Sequence, residues 1–170
     1  MMARSFCLLL ALLASTQSAL AQSVTTIRSS GPSSNRVDLV VLGDGYTAAD
    51  IASGKYANDV LTLTDGLLAQ EPYREYRSYF NVHRVDVASL ESGIDHPPNT
   101  LRNTAFDGAY GCGGIQRLVC VDVGKVNAVL SASIPNPSAR DTVLVIVNDT
   151  DTAVPAERSP WRRRTAPRSS

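Results

Sequence analysis

The pattern of apolar and polar positions along the chain predicts strands that alternate with helices. Compact runs rich in Val, Leu and Phe are typical of buried strands, and they fall at residues 36–43, 80–87 and 142–148. Apolar residues spaced near the helical period predict one helix from about Thr47 to Gln70, which Gly54 divides, and a second over 122–133. This order predicts an α/β fold with crossover helices.

The same pattern predicts how the sheet is arranged. Crossover helices between strands favour a mixed or mostly parallel sheet. The run at 142–148 is apolar throughout, which favours a central place in that sheet. Residues 101–114 are rich in Gly and Asn and predict an irregular segment near the surface.

The N-terminus has the pattern of a secretory signal peptide over residues 1–21. Arg4 precedes the apolar run "FCLLLALLA", and Ala19 and Ala21 offer small residues for cleavage before Gln22. The run is too short to span a membrane, so we expect a secreted or periplasmic protein. Ser, Thr and Gly then predict a flexible lead-in over residues 22–35, followed by a domain over 36–150.

Charge divides the chain into two unequal parts. Residues 1–150 hold 11 Lys and Arg against 14 Asp and Glu, whereas residues 151–170 hold 5 Arg against 2 acids. The body therefore offers no basic surface of the kind that binds nucleic acid. Residues 151–170 have a disordered composition, and as a genuine tail their arginines could bind an anionic surface.

Cys112 and Cys120 are the cysteines that remain after signal cleavage. In an oxidising compartment a single pair favours a disulfide, which closes the short loop "CGGIQRLVC". The alternative is a metal site that combines these thiols with His83 and His96, but the spacing fits no zinc pattern.

Four residues could line a cleft. Asp44 and Tyr46 follow the first strand, where the carboxyl ends of parallel strands build ligand sites, although Asp44 could instead hydrogen-bond the turn. Asp95 and His96 lie together on a loop, where His96 could act as a ligand or a base. His83 lies within a strand and reads as an ordinary sheet residue.

The first strand and its turn also match a dinucleotide fingerprint, with Gly43-x-Gly45-x-x-Ala48 leading into a helix. No acid follows at the end of a second strand about twenty residues on, as the ribose contact would need. The glycines could equally serve a tight strand-to-helix turn. Both interpretations can be tested, since a bound nucleotide would raise the melting temperature.

Four strings carry a resemblance to a known family: "VDLVVLGDGYTAAD", "EPYREYRSYFNVHRVDVASLESGIDHP", "AFDGAYGCGGIQRLVCVD" and "DTVLVIVNDT". From about Arg36 to Thr150 the chain resembles the N-terminal part of the catalytic region of the IgA peptidase family of secreted zinc metallopeptidases, metallopeptidase family sixty-four. The resemblance implies a zincin-like partial domain, incomplete at its C-terminus, and protein substrates and zinc in full-length relatives.

The family's zinc site is an HExxH helix, and no HExxH occurs in the 170 residues. No catalytic or metal-binding residue can therefore be transferred to this chain, and we expect it to bind no cofactor and to be inactive alone. The alternative is a small secreted binding module without catalysis, with a basic surface-binding tail.

The family pattern ends at Asp151, and the genetic code offers a reason. One shifted reading frame of the codons for residues 151–170 permits "YGGSGGAVAVASTH", which is the Gly/Ser-rich stretch that precedes the zinc helix in the family. We therefore hypothesise a one-base loss near the codons for Thr150 and Asp151, which resequencing of the gene would test.

Overall fold

The computed structural model describes residues 22–149 of the chain. Six strands occur in it: β1 (Ser23–Arg28), β2 (Val37–Asp44), β3 (Phe80–Asp86), β4 (Ala109–Tyr110), β5 (Val119–Cys120) and β6 (Thr142–Val147). The α-helices are α1 (Ala48–Ala52), α2 (Lys55–Leu68), α3 (Tyr73–Tyr76) and α4 (Val123–Ser133).

Four strands form the main sheet, in the order β1-β3-β2-β6. β2 runs parallel to both β3 and β6, and β1 runs antiparallel to β3. The predicted α/β class with a mixed, mostly parallel sheet and crossover helices is thus confirmed. Within the described residues β2 holds the place between two parallel neighbours, and β6 pairs with β2 alone. The expectation that 142–148 is central is therefore corrected. The run is apolar because its side chains pack against the cores on both faces of the sheet, Val145 on one face and Leu144 and Ile146 on the other.

Helices cover both faces of this sheet because successive side chains of a strand point to opposite sides. On one face Leu39 and Val41 of β2 pack with the Tyr56 and Val60 side chains of α2. On the other face Val40 and Leu42 pack with residues of α4. The result is a three-layer arrangement in which β2, between its two parallel neighbours, is buried on both sides.

Local signals in the sequence explain where the helices begin. Thr47 and Asp50 form a capping box at α1, in which each side chain binds the backbone N–H of the other residue. Gly54, at φ 83°, separates α1 from α2, as predicted. Asp122 caps α4 by accepting a hydrogen bond from the Lys125 N–H.

The segment 22–35 also departs from its prediction. Residues 22–35 were expected to be a flexible lead-in, but Ser23–Arg28 forms the edge strand β1 and Ser33–Asn35 a short 3₁₀ turn. This strand lies at the edge of the sheet and is largely exposed, so its composition is mostly polar. Its Val, Thr and Ile residues favour a strand, but they form no apolar run that would have indicated one. The predicted signal peptide over residues 1–21 and the predicted tail over 151–170 lie outside the described residues, as does residue 150.

Candidate functional site

A broad open groove of about 1620 Å³ lies at the carboxyl edge of the parallel strands. We call it the carboxyl-edge groove. Its lining comes from Asp50 and Lys55, from residues of 92–102 and 110–119, and from Asn148 and Asp149. The neighbours of β2 are reached by crossovers in opposite directions, so this edge is also the point where the strand order reverses. Open α/β sheets bind ligands at that point.

A histidine–aspartate pair forms one part of the groove. His96 Nε2 lies 2.6 Å from Asp149 Oδ2, and the Asp149 side chain is 8% exposed while that of His96 is 34% exposed. The His96 ring also packs against the Tyr110 ring, with centroids 4.6 Å apart. A carboxylate at this distance fixes the orientation of the imidazole and places a proton on Nε2.

Asn148 connects the end of β6 to the turn after β2. Its side chain donates to the Gly45 carbonyl at 2.9 Å and to Ser92 Oγ at 3.0 Å, and its N–H donates to the Asp44 carbonyl. Gly45 itself has φ 74°, and a Cβ there would lie 2.3 Å from the Gly93 carbonyl oxygen. Glycine is therefore required at 45 by backbone conformation and by close approach of the 93 loop.

These contacts also account for the Gly43-x-Gly45 spacing without a nucleotide. The Gly45 N–H, which a phosphate would need, donates to Ser89 Oγ at 2.9 Å. A Cβ at Gly43 would lie 2.5 Å from the Tyr56 ring. Packing and backbone conformation therefore explain both glycines, in agreement with the interpretation of a tight strand-to-helix turn.

Asp44 is fully buried beneath the groove and does not line it. Its carboxylate accepts hydrogen bonds from the Phe106 N–H at 2.9 Å, the Gly108 N–H at 2.7 Å and Thr104 Oγ1 at 2.9 Å. The carboxylate therefore holds a segment about sixty residues away rather than its own turn. A Cβ at Gly108 would lie 2.4 Å from Asp44 Oδ2, so only glycine allows this approach.

Tyr46 is also buried rather than exposed in the groove. Its hydroxyl donates to Asp59 Oδ2 at 3.0 Å, and its ring packs on that of Tyr56 with centroids 4.7 Å apart. Burial and the neighbouring Asp59 carboxylate raise the pKa of the Tyr46 hydroxyl well above its ordinary value, so it stays protonated.

Asp95 supports the groove wall from behind. Its carboxylate accepts the Arg102 N–H, and its backbone pairs with Gly108 and Tyr110. Of the four residues predicted to line a cleft, only His96 lines the groove, with Asp95 beside it and Asp44 and Tyr46 underneath.

The charged side chains of the groove differ in whether they already have a partner. The Asp50 carboxylate accepts hydrogen bonds from the Thr47 hydroxyl and from the Thr47 N–H. These two bonds hold the pKa of Asp50 below its ordinary value. Lys55 lies 2.6 Å from Asp59, and Arg102 lies 3.9 Å from Glu91. Arg117 has no ion pair among the described residues.

Sequence reasoning missed Asn148, Asp149 and Arg117. The first two directly follow a strand parallel to β2, and that position at a sheet's carboxyl edge is a usable signal. Arg117 carries no such signal, because its place depends on the path of the loop around it.

The disulfide between Cys112 and Cys120 is present, as predicted. It closes the loop that connects β4 to β5, and Gly111, Ile115, Gln116, Arg117 and Val119 of that loop line the groove. We call residues 111–120 the disulfide loop.

The described residues do not fit a zinc site. They contain no group of three or more His, Cys, Asp or Glu side chains that could hold a metal ion. His83 lies on the sheet, between Thr26 Oγ1 at 2.9 Å and Asp38 Oδ1 at 3.3 Å, away from the groove. His96 and Asp149 supply one imidazole and one carboxylate, whereas catalytic zinc takes three protein ligands.

Fold and groove together define the class of protein: a three-layer α/β protein with an open groove at the carboxyl edge of a mostly parallel sheet. The model of the family described as IgA Peptidase M64 matches residues 25–153 of the 170, and the chain belongs to that family. The match begins inside β1, upstream of the resemblance seen in the sequence. It makes the described residues a metallopeptidase-like region.

None of the curated proteins matches the chain. Across residues 22–149, no helix combines the length and apolar character that crossing a membrane would require.

Proposed function

We propose that this chain carries the sheet and the groove wall of a secreted, zinc-dependent metallopeptidase that acts on protein substrates, and that the chain by itself does not hydrolyse peptide bonds. Membership of the IgA Peptidase M64 family supports the class of reaction. The observation that carries the proposal is the carboxyl-edge groove, in which His96 pairs with Asp149, two residues beyond the end of β6.

The chain's own residues would bind and orient a peptide rather than break it. An extended peptide offers carbonyl oxygens and amide hydrogens, and the His96 ring and the polar side chains around it can exchange hydrogen bonds with them. Asp149 keeps the imidazole in one orientation, so the entropy cost of ordering it is already met in the free protein.

Zinc, where a relative binds it, supplies a Lewis acid and an activated water. The described residues do not form its site, and no HExxH occurs in the sequence, so no hydrolytic step is assigned to this chain.

A fluorogenic protein substrate tests the proposal. The purified chain is incubated with it in the presence of added zinc, with and without a chelator. We expect no chelator-sensitive cleavage, together with weak or undetectable zinc binding by calorimetry. Chelator-sensitive proteolysis by the chain would contradict the proposed inactivity.

The alternative, a secreted binding module with a basic tail, makes a different prediction. A salt-sensitive affinity for anionic vesicles that disappears when residues 151–170 are deleted would favour it. A reading frame shown by resequencing to encode HExxH just downstream would instead favour the peptidase. The proposed export is tested by N-terminal sequencing of the exported protein, which we expect to begin at Gln22.

A further inference from the structure

The disulfide loop presents an apolar and a cationic side chain to the carboxyl-edge groove. Ile115 is 50% exposed, and Arg117 lies two residues further along. Both line the groove, whereas Leu118 of the same loop is 46% exposed and does not. An apolar side chain that lines a groove and remains half exposed is available to a ligand.

The loop is held in one shape before any ligand arrives. The disulfide closes it, the Cys112 N–H donates to the Leu118 carbonyl at 3.2 Å, and the Leu118 N–H donates to the Ile115 carbonyl at 2.9 Å. Its base continues into the β4–β5 ladder, and the Tyr110 N–H donates to the Asp95 carbonyl. A preorganised loop loses little freedom when it binds, which favours affinity and selectivity.

The charges of the groove indicate which ligand suits this wall. The Asp50 and Asp149 carboxylates are engaged by Thr47 and His96. Arg102 and Arg117 are the arginines that line the groove, and only Arg102 has an ion-pair partner within residues 22–149, Glu91 at 3.9 Å. An acidic group of a ligand therefore finds a cation at Arg117, and residues 111–120 carry no competing carboxylate.

We propose that the disulfide loop selects peptides in which an apolar and an acidic residue are two positions apart, the apolar side chain on Ile115 and the carboxylate on Arg117. In an extended peptide, residues i and i+2 point to the same side, so both can face one wall of the groove. Ile115 and Arg117 both line that wall, as the first and third residues of the turn that the Leu118 N–H closes to the Ile115 carbonyl. The proposal rests on the proposed function, because it names the substrate chemistry of the same groove.

Fluorescence anisotropy of labelled decapeptides tests it on the full chain. The peptides share a Gly/Ser background and differ only in carrying Leu-x-Glu, Glu-x-Leu, Leu-x-Lys or Gly-x-Glu. We expect one of the two Leu/Glu peptides to bind roughly fivefold tighter than Leu-x-Lys and Gly-x-Glu, with an affinity that falls as salt rises.

Variants assign the selectivity to particular side chains. Arg117→Ala should abolish the preference for Glu over Lys, and Arg117→Glu should reverse it. Ile115→Ala should abolish the preference for Leu over Gly, whereas Leu118→Ala and Arg77→Ala should change neither. The five arginines of residues 151–170 are present in every variant, so a difference between variants does not come from them. Circular dichroism confirms that each variant is folded.

Two results would overturn the proposal, and they separate it from the proposed function. Equal binding of all four peptides, or a Glu preference that survives Arg117→Ala, would refute the selectivity and leave the groove as a peptide site. Absence of binding by any peptide to the folded chain would refute the groove's role as well.

Discussion

Replacement of Asp44 by Asn tests the idea that one buried carboxylate holds the groove wall. Asp44 is 0% exposed, and the Thr104 hydroxyl and the Phe106 and Gly108 N–H groups donate to it. Asn can place its oxygen toward Gly108 and Thr104, but its NH₂ group then faces the Phe106 N–H. One buried donor loses its acceptor, at a cost of about 1–3 kcal/mol, and the remaining bonds weaken from charged to neutral, by about 1 kcal/mol more.

We therefore expect Asp44→Asn to lower the free energy of unfolding by about 2–4 kcal/mol, measured by urea denaturation followed by far-UV circular dichroism. Hydrogen exchange should accelerate most at Phe106 and Gly108. Asp65→Asn is the matched control, because its 67% exposed side chain forms only a long ion pair with Arg28, and we expect a change within about 0.5 kcal/mol. A loss as small in Asp44→Asn, or unchanged protection of those two amides, would refute the reasoning.

Three further predictions concern pH, packing and the disulfide. Burial by itself raises the pKa of Asp38, but the Asn81, Ser33 and His83 side chains outweigh it and lower that pKa, so its stabilising contribution is present above about pH 4 and is lost as pH falls further. Urea midpoints measured from pH 6 to pH 2 should show this fall, and Asp38→Asn should flatten it; equal slopes would contradict it. Gly43→Ala should lower the free energy of unfolding by about 1–3 kcal/mol, because its Cβ would meet two tyrosine rings. Gly66→Ala, in open space on α2, should raise it by about 0.5–1 kcal/mol. Thermal melts that rank the two variants in reverse would be inconsistent with this packing. Reduction of Cys112–Cys120 should cost about 2.5 kcal/mol in the chain-entropy treatment, and identical denaturant midpoints with and without reductant would argue against it.

Elements whose own residues carry a periodic pattern were predictable from the sequence. β2, β3, β6 and α4 begin and end within about two residues of the predicted limits, because apolar side chains must meet a core on a definite face. The Thr47–Asp50 capping box was also predictable, since all of its contacts lie within four residues.

Features that depend on distant partners were not predictable. Residues 101–114 were expected to lie near the surface, yet Phe106 is fully buried and Thr104 nearly so. This segment is drawn inward by the Asp44 carboxylate, and nothing in its own composition records that partner. β1 was missed for the same reason, because it depends on pairing with β3.

The candidate site divides in the same way. His96 and the disulfide followed from residue type and local context. The partnership of His96 with Asp149 did not, because those residues are 53 positions apart and meet only when β6 joins β2.

The position of β2 has a consequence for the order of folding. Its contacts with the β6 end join residues that are 103 positions apart, as between Asn148 and Gly45. A sheet that pairs strands so far apart in the sequence has a high contact order. Such a sheet folds slowly, because the chain loses loop-closure entropy before the strand pairing stabilises it. During synthesis, one side of β2 stays without its partner until residues 142–147 have emerged.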